Sequence, residues 1–144
     1  MDSYVERADV EVLRVLADWK GGGPAEAMHR LEAKLSSLKG RKFYGTFRLL
    51  PEGEEYFACV EKFATDNPRA MGLEVGVIPG GLYVRRKILE WEQVIAAGKL
   101  GTIFESMVAE YPVDRSRPDI EYYRSMKELD LLVPVLGREP RPPA

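Results

Sequence analysis

The chain has 144 residues, of which 45% are apolar and 31% charged, and this balance describes one globular domain rather than a disordered or fibrous protein. Its 21 Lys and Arg residues against 23 Asp and Glu residues give a formal net charge of −2, so no global positive field favours a nucleic-acid partner. One cysteine and one histidine exclude an internal disulfide and a multi-histidine metal site, and they fit a reducing cytoplasm.

The start of the sequence does not resemble a targeting signal, because residues 1–9 carry four acidic or basic side chains. No apolar run approaches the roughly 18 residues that suggest a membrane span. We therefore expect a soluble, cytoplasmic protein without a membrane partner.

The first half of the sequence reads as strand, helix, strand, strand. The β-branched residues in 9–17 predict a strand. Three glycines and then Pro24 predict the start of a helix that Gly40 ends, because apolar residues recur at helical spacing between them. Residues 42–50 and 55–64 flank a Pro- and Gly-containing turn, so they are predicted to pair as an antiparallel hairpin.

The second half repeats this order after a short extra strand. Apolar side chains at three- and four-residue spacing predict a helix that Pro112 terminates, and the pattern leaves open whether an extra turn precedes it. The predicted elements are a short strand at 73–78, a strand at 82–91, a helix at 99–111, and a hairpin of strands 119–125 and 128–136.

The chain therefore reads as two architectural copies of one unit. Each half has a strand, a helix and a hairpin, although no sequence identity between the halves is evident. Helices segregated from antiparallel strands define an α+β class built from duplicated βαββ units. We expect a single domain over residues 1–136, followed by a flexible Pro-rich tail over residues 137–144.

Candidate chemistry lies in the segment that carries Glu121 and Tyr123. A side-chain period of two puts both on one face of a strand, about 7 Å apart, with Ile120 and Tyr122 on the other face. We place Glu121 and Tyr123 on the face turned away from the helices. Two interpretations stay open: both are solvated surface residues, or aromatic neighbours enclose Glu121 and make it a cation anchor or a general base.

Several segments together resemble the GyrI-like small-molecule-binding superfamily, which includes the effector-binding domains of multidrug-responsive bacterial transcription regulators and stand-alone relatives. The segments are the Gly23-Pro24 helix start, the Ile78-Pro79-Gly80-Gly81-Leu82-Tyr83 turn, the Pro118-x-x-Glu121-x-Tyr123 strand and the closing run from Leu129 to Val135. The resemblance covers about residues 10–135. It implies a duplicated βαββ fold with a groove between the halves.

The resemblance also implies a function, namely binding of lipophilic, often cationic, aromatic compounds with Glu121 as the central polar residue. Aromatic walls add cation–π terms of about 0.5–2 kcal/mol each. Candidates for these walls are Tyr123, Tyr83, Trp91 and Tyr111, of which Tyr111 fits the core better than a wall because it lies on the apolar stripe of its helix. We expect lipophilic or cationic small molecules as partners and no cofactor or metal.

Two other functions stay open. Some relatives hydrolyse the cyclopropane ring of DNA-alkylating natural products, which would make Glu121 a general base and Tyr123 a hydrogen-bond donor. Other relatives sequester DNA gyrase. Nothing before Val10 is long enough for a helix-turn-helix, so direct DNA binding is not expected and regulation would need a separate protein. His29 is predicted to be solvated, and Cys59 to be an inert strand residue.

Overall fold

The computed structural model describes residues 2–139 and shows an α+β protein with two compact units. The first unit is Asp9–Pro79, and the second combines residues 2–8 with residues 80–139. The elements are β1 (Asp2–Arg7), β2 (Val10–Leu16), α1 (Gly23–Ala33), β3 (Phe43–Leu50), β4 (Gly53–Glu61), α2 (Pro68–Met71), β5 (Glu74–Ile78), β6 (Gly81–Leu89), α3 (Trp91–Ala96), α4 (Leu100–Glu110), β7 (Asp119–Tyr123) and β8 (Glu128–Pro134). The predicted α+β class is confirmed.

The two units have the same strand order. The first unit has the order β3-β4-β2-β5 and the second has β7-β8-β6-β1, with antiparallel pairing throughout both. In each unit a β-hairpin pairs through its second strand with the strand that precedes the helical segment. The βαββ repeat predicted from the sequence is therefore confirmed at the level of topology.

The outer strand of each unit comes from the other half of the chain. β1 immediately precedes β2 in sequence but pairs with β6, with Asp2 opposite Arg86 and Arg7 opposite Gly81. β5 immediately precedes β6 but pairs with β2, with Val10 opposite Ile78. The two chain halves therefore exchange their outer strands. The sequence pattern predicted β5 but missed β1.

Helix α1 begins as predicted but ends earlier, at Ala33 instead of near residue 39. Pro24 occupies the first turn, where its missing N–H needs no partner. Past the helix end, the Ser37 hydroxyl accepts a hydrogen bond from the Lys39 N–H at 3.1 Å. Serine side chains that bond the backbone locally compete with helical hydrogen bonds, and Leu38 is left exposed.

The helical segment of the second unit is divided in two. Residues 92–97, which the sequence left open, form most of α3, and Gly98 adopts φ +68° before α4 begins at Leu100. Few residues other than glycine take that conformation without strain, so Gly98 separates the two helices. Trp91, predicted to end a strand, is instead the first residue of α3.

Each unit has a core between its sheet and its helices. In the first unit, Ala27 and Leu31 of α1 pack on Leu13 and Val60. In the second unit, Met107 of α4 packs on a buried set of strand residues: Val84, Ile88, Leu129, Leu131, Val133 and Val135. Within residues 2–139, no helix is both long and apolar enough to cross a membrane.

The remaining local predictions have mixed outcomes. His29 is exposed and Cys59 is buried, as predicted. Burial raises the pKa of the Cys59 thiol to about 12, which keeps it protonated and unreactive. Of the predicted tail, residues 137–139 lie outside any strand and the Arg138 guanidinium lies 5.6 Å from the Tyr4 ring centroid; residues 140–144 fall outside the described residues.

Candidate ligand-binding site

The start of β7 is anchored by the Arg117 side chain. Its Nε atom donates to Asp114 at 2.9 Å, Nη1 donates to the Leu82 carbonyl at 3.1 Å, and Nη2 donates to the Val135 carbonyl at 3.0 Å. These contacts connect the loop before β7 to β6 and to the end of β8. Gly81 allows this approach, because a Cβ there would lie 2.6 Å from Nη1 of Arg117. The position of β7 therefore depends on one partly buried guanidinium.

The register of β7 against β8 determines which way Glu121 and Tyr123 point. Glu121 lies opposite Leu131 and Tyr123 lies opposite Leu129. Directly opposed residues share a face, and both leucines belong to the core packed against α4. Glu121 and Tyr123 are therefore on the helix side of the sheet, and the sequence-based placement on the other face is wrong. That placement put Ile120 and Tyr122 on the helix side, whereas Ile120 is fully buried on the opposite face.

Glu121, Tyr123 and Trp91 form one group, here called the Glu121 cluster. The Tyr123 hydroxyl donates to Oε1 of Glu121 at 2.9 Å. The rings of Tyr123 and Trp91 meet edge to face, with centroids 5.1 Å apart and an interplanar angle of 71°. All three side chains are partly buried. The cluster thus combines a negative charge with flat apolar surfaces, a combination that suits organic cations.

Trp91 is held in place by the turn between β7 and β8. Its indole N–H donates to the Ser125 carbonyl at 2.9 Å, and the backbone N–H of Glu90 donates to the Lys127 carbonyl at 2.7 Å. Glu90 itself has φ +51°, a left-handed conformation that costs a residue with a side chain about 1–2 kcal/mol. The chain bears this cost at the residue that directs Trp91 onto Tyr123. Strain of this kind is concentrated at functional sites.

Tyr83, one of the proposed wall residues, is not part of this cluster. It lies opposite Pro134, on the other face of the sheet from Glu121, and is fully buried. The Arg117 guanidinium lies 4.8 Å from its ring centroid, and burial raises the pKa of the Tyr83 hydroxyl. Tyr83 therefore acts as a support for Arg117.

Tyr111 is also separated from the cluster. Its hydroxyl donates to Asp2 at 2.7 Å, and its ring meets Tyr4 edge to face at 6.2 Å. Burial, followed by the hydrogen bond to Asp2, raises the Tyr111 pKa to about 12. These partners belong to β1, which lies three strand spacings from β7, or about 14 Å. Tyr111 secures the exchanged strand instead.

Asp119 was missed as a candidate site residue. It begins β7 and, by the strand period of two, shares the face of Glu121 and Tyr123. The side chain is partly buried, and within residues 2–139 its carboxylate accepts no hydrogen bond. Burial raises the Asp119 pKa to about 6, and the positive charge of exposed Arg115 opposes this shift. Counting back two residues from Glu121 would have identified it.

Metal ligands are not grouped in the described part of the chain. No set of three or more His, Cys, Asp or Glu side chains there lies close enough together to hold a metal ion. The functional groups that the Glu121 cluster offers are one carboxylate, one phenol and one indole.

Comparison with known proteins gives structural matches only. No family model and no curated protein sequence matches this chain. An integron cassette protein from the mobile metagenome of Vibrio cholerae has a TM-score of 0.68 at 15% identity, covering 93% of this chain and 95% of its own. A hydrolase from Listeria innocua has a TM-score of 0.58 at 11% identity, covering 93% and 90%.

A third similar structure contains a ligand. SAV2435, solved with bound tetraphenylphosphonium, has a TM-score of 0.58 at 11% identity, covering 95% of this chain and 94% of its own. At these identities the matches establish a shared fold and nothing finer. The chain therefore belongs to a structural class, α+β with duplicated βαββ units, in which a binder of a lipophilic cation and a hydrolase both occur.

Proposed function

We propose that this protein binds lipophilic, cationic aromatic small molecules at the Glu121 cluster. The observation that carries the proposal is the contact set of the cluster: Tyr123 donates to the Glu121 carboxylate while its ring packs on Trp91. The resemblance of the sequence to GyrI-like multidrug-binding domains supports it. So does the structural similarity to SAV2435, which binds tetraphenylphosphonium, a lipophilic cation.

The physical basis is attraction between the Glu121 carboxylate and a cationic ligand at a site that is partly shielded from water. A carboxylate away from bulk water interacts more strongly with a cation than the same group on an open surface. Each aromatic face adds about 0.5–2 kcal/mol of cation–π attraction and buries apolar ligand surface. Trp91 and Tyr123 are also fixed by hydrogen bonds to Ser125 and Glu121, so little side-chain entropy is lost on binding.

Glu121→Gln tests this proposal. The change keeps the shape and the hydrogen-bond acceptor but removes the charge, so we expect tetraphenylphosphonium to bind about tenfold or more weakly. Calorimetric titration of the wild type and the variant measures this. Glu105→Gln, on an exposed position of α4, is the matched control and should leave affinity unchanged. Equal binding by wild type and Glu121→Gln would remove Glu121 as the anchor.

A hydrolase function is the second candidate, and the Tyr123–Glu121 hydrogen bond favours it. In that function Glu121 takes a proton from a water molecule, whose oxygen attacks a strained cyclopropane carbon. The C–C bond breaks, and its electron pair moves into the conjugated ring system and is then protonated. Tyr123 holds the carboxylate in position. Hydrolase structures with this fold occur in Listeria innocua.

Turnover of a cyclopropane-containing DNA alkylator separates the two functions. A hydrolase loses turnover in Glu121→Gln while substrate binding persists, and Tyr123→Phe slows it by about 10- to 100-fold. A binding protein protects the alkylator without consuming it. Mass spectrometry, with Glu105→Gln as the control, shows whether the alkylator is converted to a ring-opened product or stays intact.

A further inference from the structure

Asp119 is a hydrogen-bond acceptor that has no donor among the residues the structure describes. It shares a face of β7 with Glu121, and the Cα atoms of the two residues lie about 6.6 Å apart, which is two strand rises. Glu121 accepts from Tyr123, whereas the Asp119 carboxylate accepts from no residue in the range 2–139. The two carboxylates therefore differ: one is held by the protein, and the other is available to a ligand.

Leaving this carboxylate unpaired costs the protein stability. Removing a charged acceptor from water without giving it a donor is unfavourable, and the raised Asp119 pKa reflects that cost. Among the described residues, the positive charge that lowers the Asp119 pKa is that of Arg115, which is exposed, so solvent and salt screen its attraction for the carboxylate. An asparagine or an apolar residue would avoid the penalty. An unpaired carboxylate beside a binding cluster is therefore suited to a ligand that brings its own donor.

We propose that Asp119 determines ligand specificity by favouring cations that carry N–H groups, such as ammonium and amidinium compounds, over cations that carry none. This inference rests on the proposed binding function of the Glu121 cluster. A phosphonium or trimethylammonium group can neutralise the charge of Asp119 but cannot donate a hydrogen bond. A protonated amine does both, and charge-assisted hydrogen bonds are the stronger kind.

A matched pair of probes isolates the hydrogen bond from the charge. 2-Naphthylmethylammonium and 2-naphthylmethyltrimethylammonium have the same ring and the same charge, and only the first has N–H groups. We expect the wild type to bind the ammonium probe about tenfold more tightly than the trimethylammonium probe. Fluorescence titration of both probes gives the ratio of their dissociation constants.

Variants of Asp119 then test whether Asp119 causes this ratio of dissociation constants. Asp119→Leu should reduce it to about one, and Asp119→Asn, which keeps a neutral acceptor, should give an intermediate value. Glu121→Gln should weaken both probes, and Glu105→Gln should change neither. Circular dichroism confirms that each variant is folded. If Asp119→Leu does not fold, the ratio measured for Asp119→Asn tests the proposal, and a ratio equal to that of the wild type contradicts it.

The outcomes separate this inference from the proposed function. If Glu121→Gln weakens both probes while neither Asp119 variant alters the ratio, the role of Asp119 is overturned and the proposed function stands. If the Asp119 variants lower the ratio while Glu121→Gln weakens neither probe, the role of Asp119 is supported and Glu121 is not the anchor. If the wild type binds neither probe and no tetraphenylphosphonium, both proposals fail.

Discussion

Asp66 in the first unit is almost fully enclosed, with 8% of its side chain exposed. Its carboxylate accepts from the Arg41 guanidinium at 2.6 and 2.8 Å and from the Phe63 N–H at 2.8 Å, and these donors lower the Asp66 pKa to about 2. Asp119 is also partly buried, but no residue in the range 2–139 donates to its carboxylate, and its pKa is raised to about 6. At the scale of single residues, the supply of donors decides the direction of the shift.

Because the Asp119 carboxylate has no donor among the described residues, Asp119→Asn should raise the free energy of unfolding by an amount that depends on pH. The folded pKa of about 6 exceeds the unfolded value, so the unfolded state ionises first as pH rises and stability is lost between about pH 4 and pH 6. Asparagine cannot ionise and avoids this loss. After discounting for partial exposure, we expect about 1–2 kcal/mol more free energy of unfolding at about pH 7.5.

Urea unfolding of wild type and variant across this pH range measures the effect. Near pH 3, below both the folded and the unfolded pKa, the two should be almost equally stable, because the carboxyl is then mostly neutral in both states. Glu105→Gln should show no comparable pH dependence. A stability difference that stays constant with pH would show that Asp119 is not the desolvated group described above.

At the scale of elements, β7 depends on contacts outside itself. Arg117 connects its start to β6 and β8, and Gly81 supplies the space for that side chain. At the other end, the β7–β8 turn accepts hydrogen bonds from Trp91 and Glu90. The Glu121 cluster therefore lies on a strand that is fixed at both ends.

Gly81→Ala is expected to disturb the cluster from a distance. Gly81 has φ +122°, and an added Cβ would meet the Arg117 guanidinium at 2.6 Å, so both backbone strain and a clash result. We expect a loss of about 2–4 kcal/mol in the free energy of unfolding. Tetraphenylphosphonium should also bind more weakly, because Arg117 must leave the Leu82 carbonyl.

Gly98→Ala is the matched control. Gly98 also has a positive φ, +68°, but no atom lies within 4 Å of its added Cβ. Gly98→Ala should lower the free energy of unfolding by about 1–2 kcal/mol from backbone strain alone. Thermal unfolding compares the stabilities of the Gly81→Ala and Gly98→Ala variants, and calorimetric titration compares their affinities for tetraphenylphosphonium. Similar affinities for the ligand in both variants would mean that Arg117 does not position β7.

The elements themselves were largely predictable where their signals are local. Pro24 indicated the start of α1, and Pro112 indicated the region where α4 ends. The Pro- and Gly-containing turn indicated the β3–β4 hairpin. Strand β1 was not predictable, because its charged sequence becomes a strand only by pairing with β6. The face of β7 was not predictable either. Both its faces are covered, so the apolar Ile120 could not mark the helix side.

At the scale of the whole molecule, the chain is a duplication with exchanged outer strands. The βαββ pattern appeared in the order of elements, and the structure adds that β1 and β5 occupy equivalent places in the two units. Glu121, Tyr123 and Trp91 were all named from the sequence, and the structure brings them together. Tyr83 and Tyr111 were named for the same role but lie elsewhere, since spacing cannot reveal which strand neighbours which.

The strand exchange also sets an order of events during translation. The first unit is contiguous, so it can be completed before β6 has left the ribosome. β1 is made first, but its partner Arg86 lies 84 positions after Asp2, a delay of several seconds at about 5–20 residues per second. Meanwhile the open edge of β2 is available to it, since β5 has not yet been made. A nascent β1–β2 hairpin would compete with the final pairing, and β5 would then have to displace β1 from the edge of β2.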